Sequence, residues 1–572
     1  NKAPALFILS SMNATGSSRV KQNQWIPATG WEAESLSISR RYGVAPVTAM
    51  FLANKFEEPS EITEFLEAGG GTCPPASRLP NVASAARAIA QAIKEDKTIL
   101  VHGDYDVDGL MGAAVLMGGL GSLGGRTVAH IPSRFDGGYG LSETSLEAIV
   151  KSGAGLVVTT DCGTNAKEIV EQIRALGVGV VITDHHIPSE NSRPPAIIVN
   201  PHIERDHPDR TMCGAYVAMQ TVRQTAESMG RPLPLDPFLR LVAIATVADV
   251  VPMSPDNRSI CKRGFEALAR TPNVALAMML KRAKINGDLR SHHIAYHIAP
   301  RFNAAGRMKD GRLVLDLLLE RHPGRASVLM GRLESLNRKR KALQAAAMEE
   351  ASVIACDQES SRVVFVSSDT WHRGVIGPVA ARLAENYRKS AFVVAIEGEE
   401  GVGSARASGA DNVIRLLEGA ASNLIRFGGH QGAAGFTVST DSVPELGRAL
   451  QNAEPQKDCG SEERTYFPLS PESLPDVWDV WGILDPFGPG NEEPFIGVEG
   501  LHARGCRVVA DRHVIWEAGL PNGDPLNVIA WDGVRKGLGP SSLTPSVQVI
   551  AKPAPEFRPG KLPFCLAVED IL

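Results

Sequence analysis

At 572 residues the chain is too long for a single hydrophobic core, so about three domains are expected, and 43% apolar with 22% charged residues is the balance of an ordinary soluble globular protein with no run approaching a membrane span. A net charge of −5 excludes a globally basic footprint, so a nucleic-acid partner would have to meet a local basic groove or a metal centre. Eight scattered cysteines without a CxxC pair fit reduced cytosolic thiols better than a disulfide framework or a zinc knuckle.

Residues 1–30 are rich in Ser, Asn and Gly, and a mobile tail is expected over 1–40. Residues 3–12 have the apolarity of a weak signal core, but only Lys2 precedes them, so they read as a loosely ordered N-terminus rather than an export signal. Apolar spacing from Ile38 to Leu66 is helical, and GGGTCPP (69–75) breaks it. Asn81 is a plausible N-cap for a helix with Val82, Ala85, Ala86, Ile89, Ala90 and Ile93 on one face. That helix leads into a strand, Thr98 to Val101, which ends in VHGDYDVDG (101–109).

Here His102, Asp104, Asp106 and Asp108 fall within seven residues directly after an apolar strand. Packing them together forces like charges into contact unless something positive sits between them, and a divalent metal is the simplest solution. A solvated acidic turn is the bland alternative, but such turns rarely follow an apolar strand directly and rarely carry a histidine.

The chain then alternates. A Gly- and Ala-rich helix (Gly109 to Leu120), a strand (Thr127 to Ile131) and a helix with a serine cap (Ser142 to Lys151) precede LVVTTDCG (156–163), a strand ending at Asp161. A helix from Asn165 to Leu176 leads to VGVVITDHH (178–186), ending in Asp184, His185 and His186, and then to Ala196–Val199. Such alternation predicts a parallel sheet with helices on both faces, and ligands collect beyond the carboxyl ends of its strands, where Asp106, Asp108, Asp161 and His185 would lie. LVAIATVADVVP (241–252) adds Asp249 inside an otherwise apolar segment. Oxygen and nitrogen donors without thiolate favour Mn²⁺ or Mg²⁺, and Zn²⁺ less so.

Residues 213–354 read as mainly helical, with APRFNAAGR (299–307) as a loop-like stretch holding two arginines and an asparagine. The segment 325–351 reads as a long connecting helix with Arg332, Arg338, Lys339, Arg340 and Lys341 on a basic face, which is equally the pattern of a solvated surface. A second alternating region holds strands Val363–Ser367 and Phe392–Ile396, the stretch WHRGVIG (371–377), and two Gly-rich loops, GVGSAR (401–406) and RFGGHQGAAGF (426–436). With Arg406 and His430 in them, these loops suit phosphate contact better than a bare turn. Beyond 460, short strands at Cys506–Ala510, His513–Trp516, Leu526–Trp531, Val547–Ala551 and Phe564–Val568 suggest a small barrel of the oligonucleotide-binding (OB) kind.

With GDYDVDG, TTDCGT, TDHH, ATVADVVP, APRFNAAGR, WHRGVIG, GSAR and GGHQGAAG in this order and spacing, the chain resembles the RecJ family, bacterial 5′–3′ exonucleases specific for single-stranded DNA within the DHH/DHHA1 phosphoesterase superfamily. The resemblance covers about residues 80–495, and DPFGPGNEEP (485–494) is similar to the segment that introduces the family's barrel. It implies an α/β architecture: a parallel-sheet DHH domain with a helical lead-in over 41–320, a connecting helix over 321–355, a DHHA1 domain over 356–455 and an OB-like barrel over 456–572, while the first 40 residues, read from composition as a mobile tail, match the family poorly. The segment around MCGAY (212–216) departs from the usual pattern, and the departure is expected to touch no ligand.

The resemblance also implies roles. His102, Asp106 and Asp161 would hold one ion, Asp108, His185 and Asp249 a second, with Asp161 bridging, His186 meeting the scissile phosphate, and Asp104 and Asp184 supporting from behind. Two ions about 4 Å apart prime water and offset charge on the phosphorus. Arg301, Asn303, Ser404, Arg406 and His430 would hold phosphates. The partners implied are a single strand with a 5′ end, a single-strand-binding protein and a RecQ-type helicase, for a monomer in the bacterial cytoplasm; strand polarity comes from the resemblance alone. A short-oligonucleotide phosphodiesterase or pyrophosphatase would share the ligands but needs neither long helix nor barrel. A non-catalytic single-strand-binding scaffold would lack ligands.

Overall fold

The computed structural model describes residues 24–571 apart from 69–72, 134, 136–139, 190–191, 286–287, 309, 359, 454–462, 511, 535–546 and 556–563. The described residues fall into two compact units: those within 33–455 and 476–493, and those within 24–32, 463–475 and 494–571.

The first unit opens on three short helices, Glu32–Tyr42, Pro46–Lys55 and Pro59–Glu67, where the sequence suggests continuous helical spacing. Pro46 and Pro59 stand at the first helical positions, where a missing N–H costs nothing, and so divide the run. Helix Val82–Lys94 follows as expected, but Asn81 does not cap it: its backbone is left-handed and its side-chain amide donates to the carbonyl of Ile198 at 2.9 Å.

Five parallel strands form the first sheet, in the order Arg126–His130, Thr98–Gly103, Ala154–Thr160, Gly179–Thr183, Ile197–Val199. Successive residues of each strand pack into separate cores. Ile99, Val101, Val158 and Val181 join the core formed with the helices Val82–Lys94, Val107–Ser122 and Gly214–Ser228, while Leu100, Val157, Val180 and Ile182 join Ile149, Val170 and Ile173 on the other face. A strand covered on both faces needs apolar side chains throughout, which is why these strands were legible as uninterrupted runs. In order of sequence the sheet reads 2-1-3-4-5, so the connection reverses between Thr98–Gly103 and Ala154–Thr160. A crevice opens there beyond the carboxyl ends.

Residues 299–307 are a helix, Ala299–Arg307, not a loop, preceded by a π-turn at Ile294–Ile298. Pro300 is tolerated because it sits in the first turn. The connecting helix runs for 34 residues, Pro323–Cys356, and two of its basic residues are engaged locally: Arg332 with Asp310 at 3.1 Å, and Arg340 with Asn337 and Gln344 at 3.0 Å each.

The second sheet is mixed, in the order Arg426–His430, Ala433–Ser439, Glu400–Arg406, Ala391–Glu397, Val364–Ser368. Both Gly-rich stretches, expected as loops, are antiparallel strands within it. Gly403 pairs with Phe436, whose ring atoms come within 2.1 Å of where a Cβ on Gly403 would stand, so the glycine accommodates a cross-strand aromatic rather than a ligand.

In the second unit, Phe495–Val509, His513–Gly519, Pro525–Ala530, Phe564–Ile571 and Val547–Pro555 close into a barrel through pairing of the last with the first. The five-stranded barrel is the one expected, with its first strand starting eleven residues earlier than Cys506. It is extended by Glu463–Leu469 and, in parallel with that strand, by Gln24–Pro27. The tail expected over 1–40 is therefore folded from residue 24 onward, and residues 1–23 lie outside the described residues. Residues 476–493 belong with the first unit rather than the barrel. Arg258, buried over the Phe65 ring, donates to the carbonyls of Phe65, Leu484 and Ile483 there.

Candidate metal centre

The reversal of strand order places the turn after Gly103 beside the turn after Thr160, and the two deliver most of the acidic side chains. Asp106 caps helix Val107–Ser122, its Oδ1 accepting from the Gly109 amide at 3.1 Å. Asp161 sits at φ 59°, a backbone region that a non-glycine residue occupies at a cost and that is found at functional sites. Its amide donates to the Thr183 carbonyl at 3.0 Å, which ties this turn to the neighbouring strand end where Asp184, His185 and His186 stand. Asp249 comes from the C-cap of helix Asp236–Ala248.

These groups converge. His185 Nε2 lies 3.1 Å from Asp161 Oδ1, 3.6 Å from Asp108 Oδ2 and 3.7 Å from Asp249 Oδ2, and His186 Nδ1 lies 3.9 Å from Asp161 Oδ1. Among the described residues, three triads offer ligand atoms within 4.8 Å of one another: Asp161, His185 and His186; Asp108, His185 and Asp249; Asp104, Asp106 and Asp161. Asp161 and His185 each belong to two of them, so the triads form one continuous donor set. Asp104, expected behind the ligands, stands in the front rank with Asp106 and Asp161, while His102 belongs to none of the triads.

His102 is fully buried, held near 3 by that burial and by the charge of His130, with the Gly140 backbone opposing. Its ring therefore stays neutral beneath the acidic turn. Asp184 likewise stands behind the cluster. It accepts from the amides of Thr164 (2.9 Å), His185 (2.8 Å) and His186 (3.2 Å) and from His186 Nδ1 at 2.8 Å, bonds that hold it below the usual carboxylate range despite burial. The Asp184 carboxylate thus holds the His186 ring through Nδ1.

The electrostatics ask for a cation. Burial, then the neighbouring aspartates, raise Asp161 well above the ordinary carboxylate value; burial and Asp106 raise Asp108 against the pull of His185; burial, Asp108 and Asp106 raise Asp249 to about 8. His186 is raised to about 9 because Asp184, Asp249 and Asp108 outweigh its burial. Between the ordinary carboxylate value of 3.8 and about 8, the folded metal-free protein thus holds protons that the unfolded chain has released, so its stability falls as pH rises through that window. His186 acts with the same sign, its contribution being complete below 6.5 and lost on passing about 9. A divalent ion competes with those protons. The melting temperature in EDTA is expected to fall from pH 6 to pH 8 and the upward shift on adding Mn²⁺ to grow over the same range; an equal shift at both pH values would contradict the carboxylate cluster as the binding site.

The segment expected to touch no ligand does touch one. Gly214 and Ala215 begin helix Gly214–Ser228, and their amides donate to Asp108 Oδ2 at 2.6 Å and Oδ1 at 2.8 Å. The helix N-terminus cradles an anionic side chain, and Cys213-Gly214-Ala215, a run of small residues at the start of a helix, was the available sign. A Cβ on Gly214 would stand 2.8 Å from Asp161 Cα and Cβ, so only glycine fits between the two ligand-bearing turns.

A second polar cluster gathers at the start of helix Ile376–Tyr387. Arg307 Nη1, Arg406 Nη2 and Ser404 Oγ all lie within 4.0 Å of the point where a Cβ on Gly377 would stand, and Arg307 also reaches the Gly374 carbonyl at 3.5 Å. Arg307 belongs to the expected stretch but was not singled out. Helix Ala299–Arg307 is fixed over the metal turn, because Gly306 brings its backbone so close that a Cβ would meet the Tyr105 carbonyl at 2.3 Å. Arg301, expected to bind phosphate, is instead directed to Glu334 at 2.9 Å and to the His297 carbonyl. Asn303 is half-buried on the same helix. His430 is exposed opposite Ala433, which pairs in turn with Arg406.

A model of the DHH family N-terminal domain matches residues 98–246, and a model of the DHHA1 domain matches residues 360–454. The single-stranded-DNA-specific exonuclease RecJ of Thermus thermophilus is 33% identical over 504 residues, spanning 87% of this chain and 72% of that protein. The protein of that name from Escherichia coli is 31% identical over 532 residues, spanning 87% and 91%. Among solved structures, RecJ from Thermus thermophilus in complex with Mn²⁺ matches with a TM-score of 0.79 at 27% identity, covering 96% of this chain and 79% of that one. The same protein with Mg²⁺ gives 0.74 at 26% identity, covering 96% and 78%.

Proposed function

The chain belongs to the RecJ family of single-stranded-DNA-specific exonucleases, and from that premise we infer that it is a metal-dependent hydrolase that removes 5′-mononucleotides from the 5′ end of single-stranded DNA, acting in repair and recombination. The observation that carries the reading is the continuous donor set joined by Asp161 and His185 at the crevice of a parallel sheet. Carboxylate and imidazole donors without thiolate suit a pair of divalent ions, Mn²⁺ first and Mg²⁺ second.

In this reading Asp104, Asp106 and Asp161 hold one ion and Asp108, His185 and Asp249 the other, with His102 buried beneath. When bound, such a pair activates water and offsets the charge that develops on the phosphorus. The chain's own groups do the rest. His186, held through Nδ1 by Asp184, meets the scissile phosphate. Ser404 and Arg406, with Asn303 and Arg307 from the facing helix and His430 from the hairpin, hold phosphates of the strand. Arg301 positions that helix through Glu334. We propose the division into DHH domain, connecting helix, DHHA1 domain and barrel; the family matches at 98–246 and 360–454 support its two α/β parts.

Among the described residues no helix is long and apolar enough to cross a membrane, and all seven described cysteines are free thiols. From the family we also propose a monomer in the bacterial cytoplasm, with single-strand-binding protein and a RecQ-type helicase as partners.

Incubation with Mn²⁺ and single-stranded DNA labelled at its 5′ end is expected to release labelled mononucleotide as the first product. Cleavage of RNA dinucleotides or pyrophosphate alone would replace this reading with a small-substrate phosphodiesterase, and tight binding without product would replace it with a scaffold.

A further inference from the structure

We propose that Asn200 is a positioning residue for His186: with Thr164 and Asp184 it closes a circuit of buried hydrogen bonds that sets the imidazole for the scissile phosphate. The proposal deepens the exonuclease reading and rests on it. Asn200 follows directly on the edge strand Ile197–Val199, whose last residue is in register with Thr183, and the Val199 carbonyl accepts from the Asp184 amide at 3.1 Å. The sheet itself therefore delivers Asn200 beside the Asp184-His185-His186 run, although fourteen positions separate it from His186 in the chain.

The side-chain amide of Asn200 donates twice, to the His186 carbonyl and to Thr164 Oγ1, at 2.9 Å each, and its Oδ1 accepts from the His202 amide at 2.8 Å. The Thr164 amide donates to Asp184 Oδ2 at 2.9 Å, and the other oxygen of Asp184 accepts from His186 Nδ1 at 2.8 Å. The path from Asn200 through Thr164, Asp184 and His186 thus returns to Asn200. Within this circuit His186 is gripped at its ring and at its main chain. A ring bonded only to a carboxylate could still swing with its backbone, and a carbonyl anchored from the neighbouring strand removes that freedom.

Burial makes the arrangement stringent. Asn200 is 0% exposed, Asp184 1% and Thr164 2%, so water cannot replace a bond that is lost. A carboxamide supplies two donors and an acceptor in one plane, whereas an aspartate of the same shape would set an oxygen against the His186 carbonyl. Asn200 has no surface with which to meet an ion or the strand, so its effect on the reaction runs through the groups it holds.

The test measures Mn²⁺-dependent cleavage of single-stranded DNA by Asn200→Ala, Thr164→Val and Thr164→Ser. Asn200→Ala and Thr164→Val are expected to lower kcat about tenfold to a hundredfold, the loss typical of removing a group that orients an active imidazole. KM should stay within about twofold, because the strand's phosphates are held elsewhere. Thr164→Ser, which restores the hydroxyl acceptor, should recover the rate lost in Thr164→Val. Valine keeps the shape of threonine, so the comparison stands even if Asn200→Ala disturbs folding. A cycle with His186→Ala, read on single-turnover rates so that slow variants remain measurable, separates positioning from a merely structural role. In the His186→Ala background the Asn200→Ala change should cost no more than about twofold, since the group it positions is gone. An equal loss in both backgrounds, no loss from Asn200→Ala alone, or a serine variant as slow as valine would overturn the proposal. Failure of the unaltered enzyme to cut any strand would instead remove the exonuclease reading itself, and this inference with it.

Discussion

Asp161→Asn is expected to leave a protein that folds better and cuts hardly at all. Asparagine keeps the shape of the side chain and is among the few residues that accept the left-handed backbone at φ 59°, so the turn has no reason to rearrange. What it removes is the charge shared between two of the three donor triads, in a carboxyl group that burial and Asp108, Asp106, Asp104 and Asp249 all push towards its neutral form. Relief of that repulsion should raise the melting temperature in EDTA at pH 8. The same change takes away a carboxylate that belongs to two of the three donor triads, and kcat/KM on single-stranded DNA should fall on the order of a thousandfold or more. Thermal melts and initial rates on one preparation settle it; a rate within about tenfold of the unaltered enzyme would mean that Asp161 does not join the two halves.

Gly214→Ala is expected to damage the centre without altering any ligand. The added methyl would stand 2.8 Å from Asp161 Cα and Cβ and 3.1 Å from Asp108 Oδ2, and the nearest atoms include backbone, which cannot swing aside as a long side chain would. The turn carrying Asp161 and the helix start that holds Asp108 must therefore separate. Overpacking of this kind costs about 1–3 kcal/mol of stability. A displacement approaching an ångström in a site of this sort lowers the rate about a hundredfold. Ala215→Gly, which preserves the second amide donor, is the control and should retain the unaltered Mn²⁺ affinity by calorimetry. If Gly214→Ala binds Mn²⁺ and cuts normally, the helix start is not what sets the position of Asp108.

The parts of this molecule that were legible in its sequence are those determined by local pattern. Strands covered on both faces must be apolar at every position, and the residues that end them stand out by contrast, which is how Asp161 and the Asp184-His185-His186 run were found. What escaped depends on partners distant in the chain. Nothing near Gly403 announces that Phe436 will lie across it, so a strand passed for a loop. Nothing near Arg301 announces Glu334, 33 positions on, so a guanidinium that braces two helices passed for a phosphate ligand. The Asp108 cradle was hidden more deeply, because its donors are backbone amides and its one sign in the sequence was the run of small residues Cys213-Gly214-Ala215.

The pairing of Gln24–Pro27 with Glu463–Leu469 has a consequence for how the molecule is made. Gln24–Pro27 must wait, its hydrogen-bonding groups satisfied only by water, until Glu463–Leu469 has been threaded out and the intervening sheets are built. Until it returns, the edge it covers is open to any other extended peptide, so assembly of this end of the protein is a race between its own distant strand and its neighbours in the cell.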